Sequence, residues 1–251
     1  MKRLAAVALT VAVAGCGGGG SSGSSKTSQP LTVSAAASLK AAFLKYHGGN
    51  RYSFAGSDVL AAQIKGGARP DVYAAANTKL PQQLYAAGLL DKPVVFAGNR
   101  LVLAIPAKGA KVKSLADLAK PGITIAAGSP SVPVGGYTRQ VLARLPKPQS
   151  KKILANIRSS EPDVSGVVGK ITQAAVDAGF VYATDVKAAG GRLTAVQLPA
   201  SLQPRVAYAA AVVKGSKLHH KASGFIKGLL TGKGAAALSD AGFDPPPRSS
   251  P

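Results

Sequence analysis

Four places in this 251-residue chain set small residues beside an expected helix start, and they fall at Ser38, Ser57, Val134 and Val164. At a helix start the first N–H groups have no partner within the helix, and the peptide dipoles leave partial positive charge there. Two of these junctions carry serine hydroxyls, and Tyr182, near the end of a later strand, adds a third hydroxyl. If the helix starts converge, such donors bind an anion with no cationic side chain. A cage of neutral donors leaves discrimination to size and geometry, and it suits an anion that is bound dry and released again. Taken singly, each junction also reads as a capped helix start and nothing more. It is the recurrence that points to a ligand.

Other chemistries find little support. His47 sits in a turn and His219-His220 lie near the C-terminus, without HExxH spacing or neighbouring cysteine ligands, so no metal site is expected. No Gly-x-Ser-x-Gly elbow stands between an expected strand and helix, and the carboxylates are few and scattered. No catalytic residue and no cofactor is expected.

The elements that must position these residues alternate. Residues 31–33 open a strand that hands over at Ala37-Ser38 to a helix with Leu39, Ala42, Phe43 and Tyr46 on one face. Residues 51–55 form a second strand, followed by Gly56-Ser57-Asp58 and a helix that buries Leu60, Ala61 and Ile64 and ends at Gly66-Gly67. A third strand spans 71–75 and a third helix 78–87, stopped by Gly88. The apolar run 100–106 reads as a buried strand, and Ser114 opens a short helix stopped by Pro121-Gly122. Strand 123–127 leads into the glycine-rich loop 128–136 and a helix over 137–145, and Asp163 caps a helix that runs to about residue 175. Strands over 178–183 and 205–213 and helices over 222–230 and 234–238 complete the body. This alternation predicts an α/β fold with parallel sheet units, in which ligands bind beyond the carboxyl ends of the strands.

Composition bounds the rest. With 46% hydrophobic residues the chain is globular, and its length allows one large domain or two small ones. Thirty-one Lys and Arg against ten Asp and Glu give a formal charge of +21, which favours anionic partners. The basic residues are scattered and no aromatic residues alternate with them, so nucleic acid is not the expected partner. Lys2-Arg3 followed by LAAVALTVAVA reads as a signal peptide over 1–15, too short to span a bilayer comfortably. Val13-Ala14-Gly15-Cys16 resembles the lipobox of bacterial lipoproteins, which implies cleavage before Cys16 and lipidation of its thiol. Residues 17–30 are Gly/Ser-rich and read as a flexible tether with a reach of roughly 20 Å. No strand precedes these glycines and no Gly-Lys-Ser/Thr follows them, so they are not a phosphate-binding loop.

Several blocks carry a more specific signal: AAASL at 35–39, FAGSDVLAAQIKGGARPDVYAAAN at 54–77, GNRLVLAIP at 98–106, SLADLAKPG at 114–122, GSPSVPVGGYTRQVL at 128–142 and AGFVYATDV at 178–186. In this order they resemble the molybdate-binding proteins of ABC transporters. The resemblance implies a two-lobed periplasmic-binding-protein fold of type II. Each lobe would be a mixed, mostly parallel sheet flanked by helices, and the ligand would lie in the inter-lobe cleft. It places lobe one at 31–102 plus 208–244, lobe two at 103–207 and a loose tail at 245–251. It implies that molybdate or tungstate is bound by a monomer held outside the cytoplasm by lipidated Cys16, and is passed to a membrane permease and its ATPase. The binding set carried over is the hydroxyls of Ser38, Ser57 and Tyr182 and the backbone N–H groups of Val134 and Val164.

Three features depart from the family pattern. Asp58 stands where a neutral residue is usual and is expected to face away from the ligand, the segment from Ser38 to Phe54 is shorter by about two helical turns, and the 128–136 loop is slightly shortened. Sulfate, phosphate and small organic anions remain alternative ligands, and a surface lipoprotein enzyme or adhesin on the same fold is the alternative from another class.

Overall fold

The computed structural model describes residues 29–247, so the signal peptide, Cys16, most of the tether and the last four residues lie outside the described chain. Within it the strands form two five-stranded mixed sheets, one in each lobe. In lobe one, β1 (Thr32–Ala36) passes through a 3-10 turn at Ala37–Leu39 into α1 (Lys40–His47), and β2 (Arg51–Ala55), α2 (Ser57–Lys65), β3 (Val72–Ala75) and α3 (Lys79–Ala86) follow. β1 pairs parallel with β2 and with β3, and parallel neighbours need crossover connections, which α1 and α2 supply. β1 is covered on both faces from Val33 onward, so its residues are small and buried in sequence instead of alternating with exposed ones. β4 (Val94–Asn99) and β10 (Val206–Val212) complete the order β2-β1-β3-β10-β4, with β10 antiparallel to both neighbours.

Lobe two contains β5 (Leu101–Pro106), β6 (Ile125–Gly128), α4 (Pro133–Ala143), α5 (Lys147–Ala155), β7 (Ile157–Glu161), α6 (Val164–Thr172), β8 (Ala178–Tyr182), α7 (Ala183–Ala188) and β9 (Leu193–Gln197). Its sheet runs β7-β6-β8-β5-β9, with β6 parallel to β7 and β8, and β5 antiparallel to β8 and β9. The chain then returns to lobe one through β10, and α8 (His219–Leu230) and α9 (Gly232–Ala241) close it. α9 ends at Gly242 with φ of 94°, a left-handed value open to glycine, and the Phe243 N–H donates back to the Leu238 carbonyl at 3.0 Å. That turn sets the Phe243 ring 5.2 Å from Tyr208.

Two details differ from the sequence reading. Leu101 pairs with Tyr182 and Val102 with Val181 in the second sheet, whereas Val206 and Ala207 pair with Asn99 and Gly98 in the first. Both crossings therefore come two residues before the expected boundaries at 103 and 208. Only Arg100 separates β4 from β5, so hydrophobicity carries no mark of where pairing changes sheets. α4 also starts at Pro133 instead of 137, because proline's fixed φ suits a first helical position. Gly135 belongs to that first turn, where a Cβ would sit 1.9 Å from the Ser129 carbonyl oxygen.

One apolar core runs through both lobes. A file of rings links them: Phe43 to Phe96 at 6.2 Å, Phe96 to Tyr208 at 6.2 Å, Tyr208 to Tyr182 at 5.8 Å and Tyr182 to Tyr137 at 6.4 Å. A smaller cluster under α2 and α3 holds Leu60, Ile64, Tyr73, Leu84 and Leu90.

Candidate functional site

The ends of the parallel strands of both sheets converge on one pocket. Ala36, Ala37 and Ser38 reach it from the end of β1, Ala55, Gly56 and Ser57 from the β2–α2 junction, and Ala76 from just after β3. Lobe two contributes Val132, Pro133 and Val134 at the start of α4, Asp163 and Val164 at the start of α6, and Tyr182 at the end of β8. All five residues singled out in the sequence thus line a single pocket. The lobe-one wall is alanine, glycine and serine, which leaves its backbone open to close approach. The cavity volume is about 20 Å³. A cavity needs roughly 10–15 Å³ to admit one water, so this one is on the scale of a single small ion.

Three hydroxyls are set up there as donors. Ser57 is 1% exposed, and its Oγ accepts the Ala76 N–H at 3.1 Å, while the Tyr73 hydroxyl clamps its carbonyl at 2.7 Å. The serine's own hydrogen is left for the pocket. Ser38 was expected to cap a helix, but it lies inside the 3-10 turn and makes no capping bond. Its Oγ instead lies 2.9 Å from Tyr208 Oη, which also receives Asn99 Nδ2 at the long distance of 3.5 Å. With Asn99 donating to Tyr208 and Tyr208 to Ser38, the Ser38 hydrogen is free to point inward. Tyr182 is 1% exposed, and its hydroxyl has no hydrogen-bond partner among the described residues. Burial, reinforced by the nearby Tyr208, Tyr137 and Asp185, pushes its pKa well above the ordinary phenol range, so it remains a donor. A buried donor without an acceptor is costly and calls for one from a ligand.

Backbone groups supply the remainder. Val134 and Val164 are buried in the first turns of α4 and α6, where N–H groups lack intrahelical acceptors. No Lys or Arg lines the pocket, and its one carboxylate, Asp163, caps α6 by accepting the Gly166 N–H at 3.1 Å. Asp58 does not line the pocket. It is not freely solvated either: its Oδ1 is buried without a hydrogen-bond partner among the described residues, 2.8 Å from where a Cβ on Gly56 would stand. The first turn of α2 offsets part of that charge.

Sequence reasoning missed Tyr208, Tyr73 and Asp185. Tyr208 lies within the apolar run of β10, and the only signal was a polar-tipped side chain on an otherwise aliphatic strand. Asp185 accepts the Tyr182 N–H at 2.9 Å and so fixes the end of β8. Enclosure of its carboxyl, aided by the Asp163 charge and opposed by that hydrogen bond, raises its pKa to about 7. Away from the pocket, His219 Nε2 lies 2.6 Å from Asp91 Oδ2 in an exposed pair.

A profile of the bacterial extracellular solute-binding proteins matches residues 31–244. The molybdate-binding protein ModA of Mycobacterium tuberculosis is 31% identical over 258 aligned residues, with 97% of each chain covered. The protein of the same name from Haemophilus influenzae is 32% identical over 235, with 86% of this chain and 88% of that one covered. Among solved structures, the periplasmic molybdate-binding protein of Azotobacter vinelandii superposes with a TM-score of 0.76 at 24% identity, over 86% of this chain and 100% of that one. The chain has the two-lobed periplasmic-binding-protein fold.

Proposed function

Because the chain belongs to the bacterial extracellular solute-binding proteins, we propose that its inter-lobe pocket binds molybdate, and tungstate with it, for delivery to an ABC permease and its ATPase. The observation that carries the reading is the convergence of three hydroxyl donors and two helix starts on an ion-sized pocket with no cation in its wall. Near full-length similarity to molybdate-binding proteins supports the choice of anion. The lipobox-like Val13–Cys16 segment supports lipid anchoring at Cys16 outside the cytoplasm, with the tether holding a monomeric body near the membrane. The role is capture and delivery, without turnover of the ligand.

The donor set also argues about protonation. The three hydroxyls and the two helix starts all donate, so a fully deprotonated tetrahedral dianion satisfies them. A phosphate that keeps a proton wants an acceptor, and the one carboxylate in the wall, Asp163, already has its Oδ1 engaged by the Gly166 N–H of α6. Among dianions, size decides. The test is the melting temperature of the protein with molybdate, tungstate, sulfate and phosphate in turn, since a ligand at a thousand times its Kd adds about 4 kcal/mol of stability. A rise with molybdate and tungstate alone supports the reading. A rise with sulfate or phosphate alone replaces the ligand, and no rise with any of the four refutes oxyanion binding.

A further inference from the structure

A pocket walled by neutral donors can hold a dianion but has little long-range field with which to gather one. Charge stands one step outside. A polar groove of about 440 Å³ adjoins the pocket and shares Val132 and Pro133 with its wall. Both lobes line it, with Lys79 at the start of α3 on one side, Gln140 and Arg144 at the end of α4 on the other, and Arg205 just before β10. No carboxylate lines this groove. The neighbouring grooves differ: Lys40 and Arg192 share theirs with Asp185, and Lys45 and Lys187 share theirs with Asp240, which pairs with Lys45 at 2.7 Å. Arg144 Nη1 donates to the Gln203 carbonyl at 3.2 Å, which fixes its position without cancelling its charge.

Resting on the oxyanion reading of the inner pocket, we propose that the Lys79, Arg144 and Arg205 groove is an outer anion site from which an inorganic oxyanion passes into the pocket. A cleft lined by one sign of charge between low-dielectric walls focuses the field and raises association rates. Lys79 and Arg144 are exposed, so they hold an anion briefly and are screened by salt. The groove therefore sets how fast the anion arrives, and the neutral donors within set how slowly it leaves.

Stopped-flow association with molybdate tests this on the unaltered protein, a Lys79→Gln/Arg144→Gln variant and a Lys151→Gln/Lys152→Gln control. The control removes the same two charges from α5, whose residues do not line the groove. At low ionic strength the groove variant is expected to associate about three- to tenfold more slowly, with a shallower salt dependence and an unchanged dissociation rate. The control is expected to stay near the unaltered rate. Equal slowing in both variants overturns the proposal in favour of the field of the whole molecule, and no slowing in either overturns it outright. If Arg144→Gln lowers the melting temperature, the comparison is made with Lys79→Gln, whose residue is exposed, against Lys151→Gln, with the same outcomes on a smaller scale. If the unaltered protein binds no molybdate by calorimetry, the reading of the inner pocket fails, and the outer site fails with it.

Discussion

Ser57 Oγ already accepts a backbone N–H, so removing it takes one donor from the anion and one acceptor from Ala76. Ser57→Ala is therefore expected to weaken molybdate binding by about 1 to 3 kcal/mol, as read by calorimetry, and unchanged affinity would remove Ser57 from the site. Tyr208 does not line the pocket and meets it through its hydrogen bond with Ser38. Tyr208→Phe keeps the ring packing against Phe96 and Phe243 but lets the Ser38 hydroxyl turn away, so a loss of about 1 kcal/mol in affinity is expected. If Ser38→Ala and Tyr208→Phe lose affinity additively in a double-mutant cycle, the relay is wrong.

Asp185 gives a pH signature at the same scale. Its folded pKa of about 7 lies above the ordinary 3.8, so the folded state holds a proton there that the unfolded state has lost. The corresponding stability is complete below about pH 4 and is lost as pH rises through 7. Asp185 holds the backbone of Tyr182, whose side chain lines the pocket, so a dianion bound there opposes its ionisation further and molybdate affinity is expected to fall as pH rises from 6 to 8. Asp185→Asn should flatten both trends, and a pH-independent affinity in the unaltered protein would contradict this. The serines were legible in the sequence because each sits at its own strand-to-helix junction. Tyr208 was not, because its bond to Ser38 spans 170 residues and no local pattern records it.

At the scale of elements, the β2–α2 junction does more than present Ser57. A Cβ on Gly56 would stand 2.4 Å from the Pro162 carbonyl oxygen of lobe two and 3.3 Å from Val132 Cγ1. The φ of Gly56 is an ordinary −58°, so the requirement is room between lobes and not backbone freedom. Gly56→Ala is expected to hold the lobes apart and weaken ligand binding by about 1 to 3 kcal/mol, with a smaller effect on the melting temperature without ligand. Equal losses in both would place the strain within lobe one. The helices that begin the site were readable from apolar spacing, but of their expected caps only Asp163 makes its bond, at the start of α6. β7 was not, because IRSSE is an edge strand with no fully buried residue, and β9, LTAVQ, also lies at a sheet edge.

For the molecule as a whole, two sheets exchange strands at Arg100 and again before β10, and a file of aromatic rings joins them beside the pocket. Alternation of strand and helix announced the α/β class. It could not announce that β10 inserts between β3 and β4, because that pairing is antiparallel and joins segments more than a hundred residues apart. The central claim is that neutral donors from both lobes hold one oxyanion between them. Crystals grown with molybdate and measured at the molybdenum absorption edge test it most directly. One anomalous peak is expected within hydrogen-bonding reach of the Ser38, Ser57 and Tyr182 hydroxyls and the Val134 and Val164 N–H groups. A peak coordinated by lysine or arginine elsewhere, or no peak in the cleft, would contradict it.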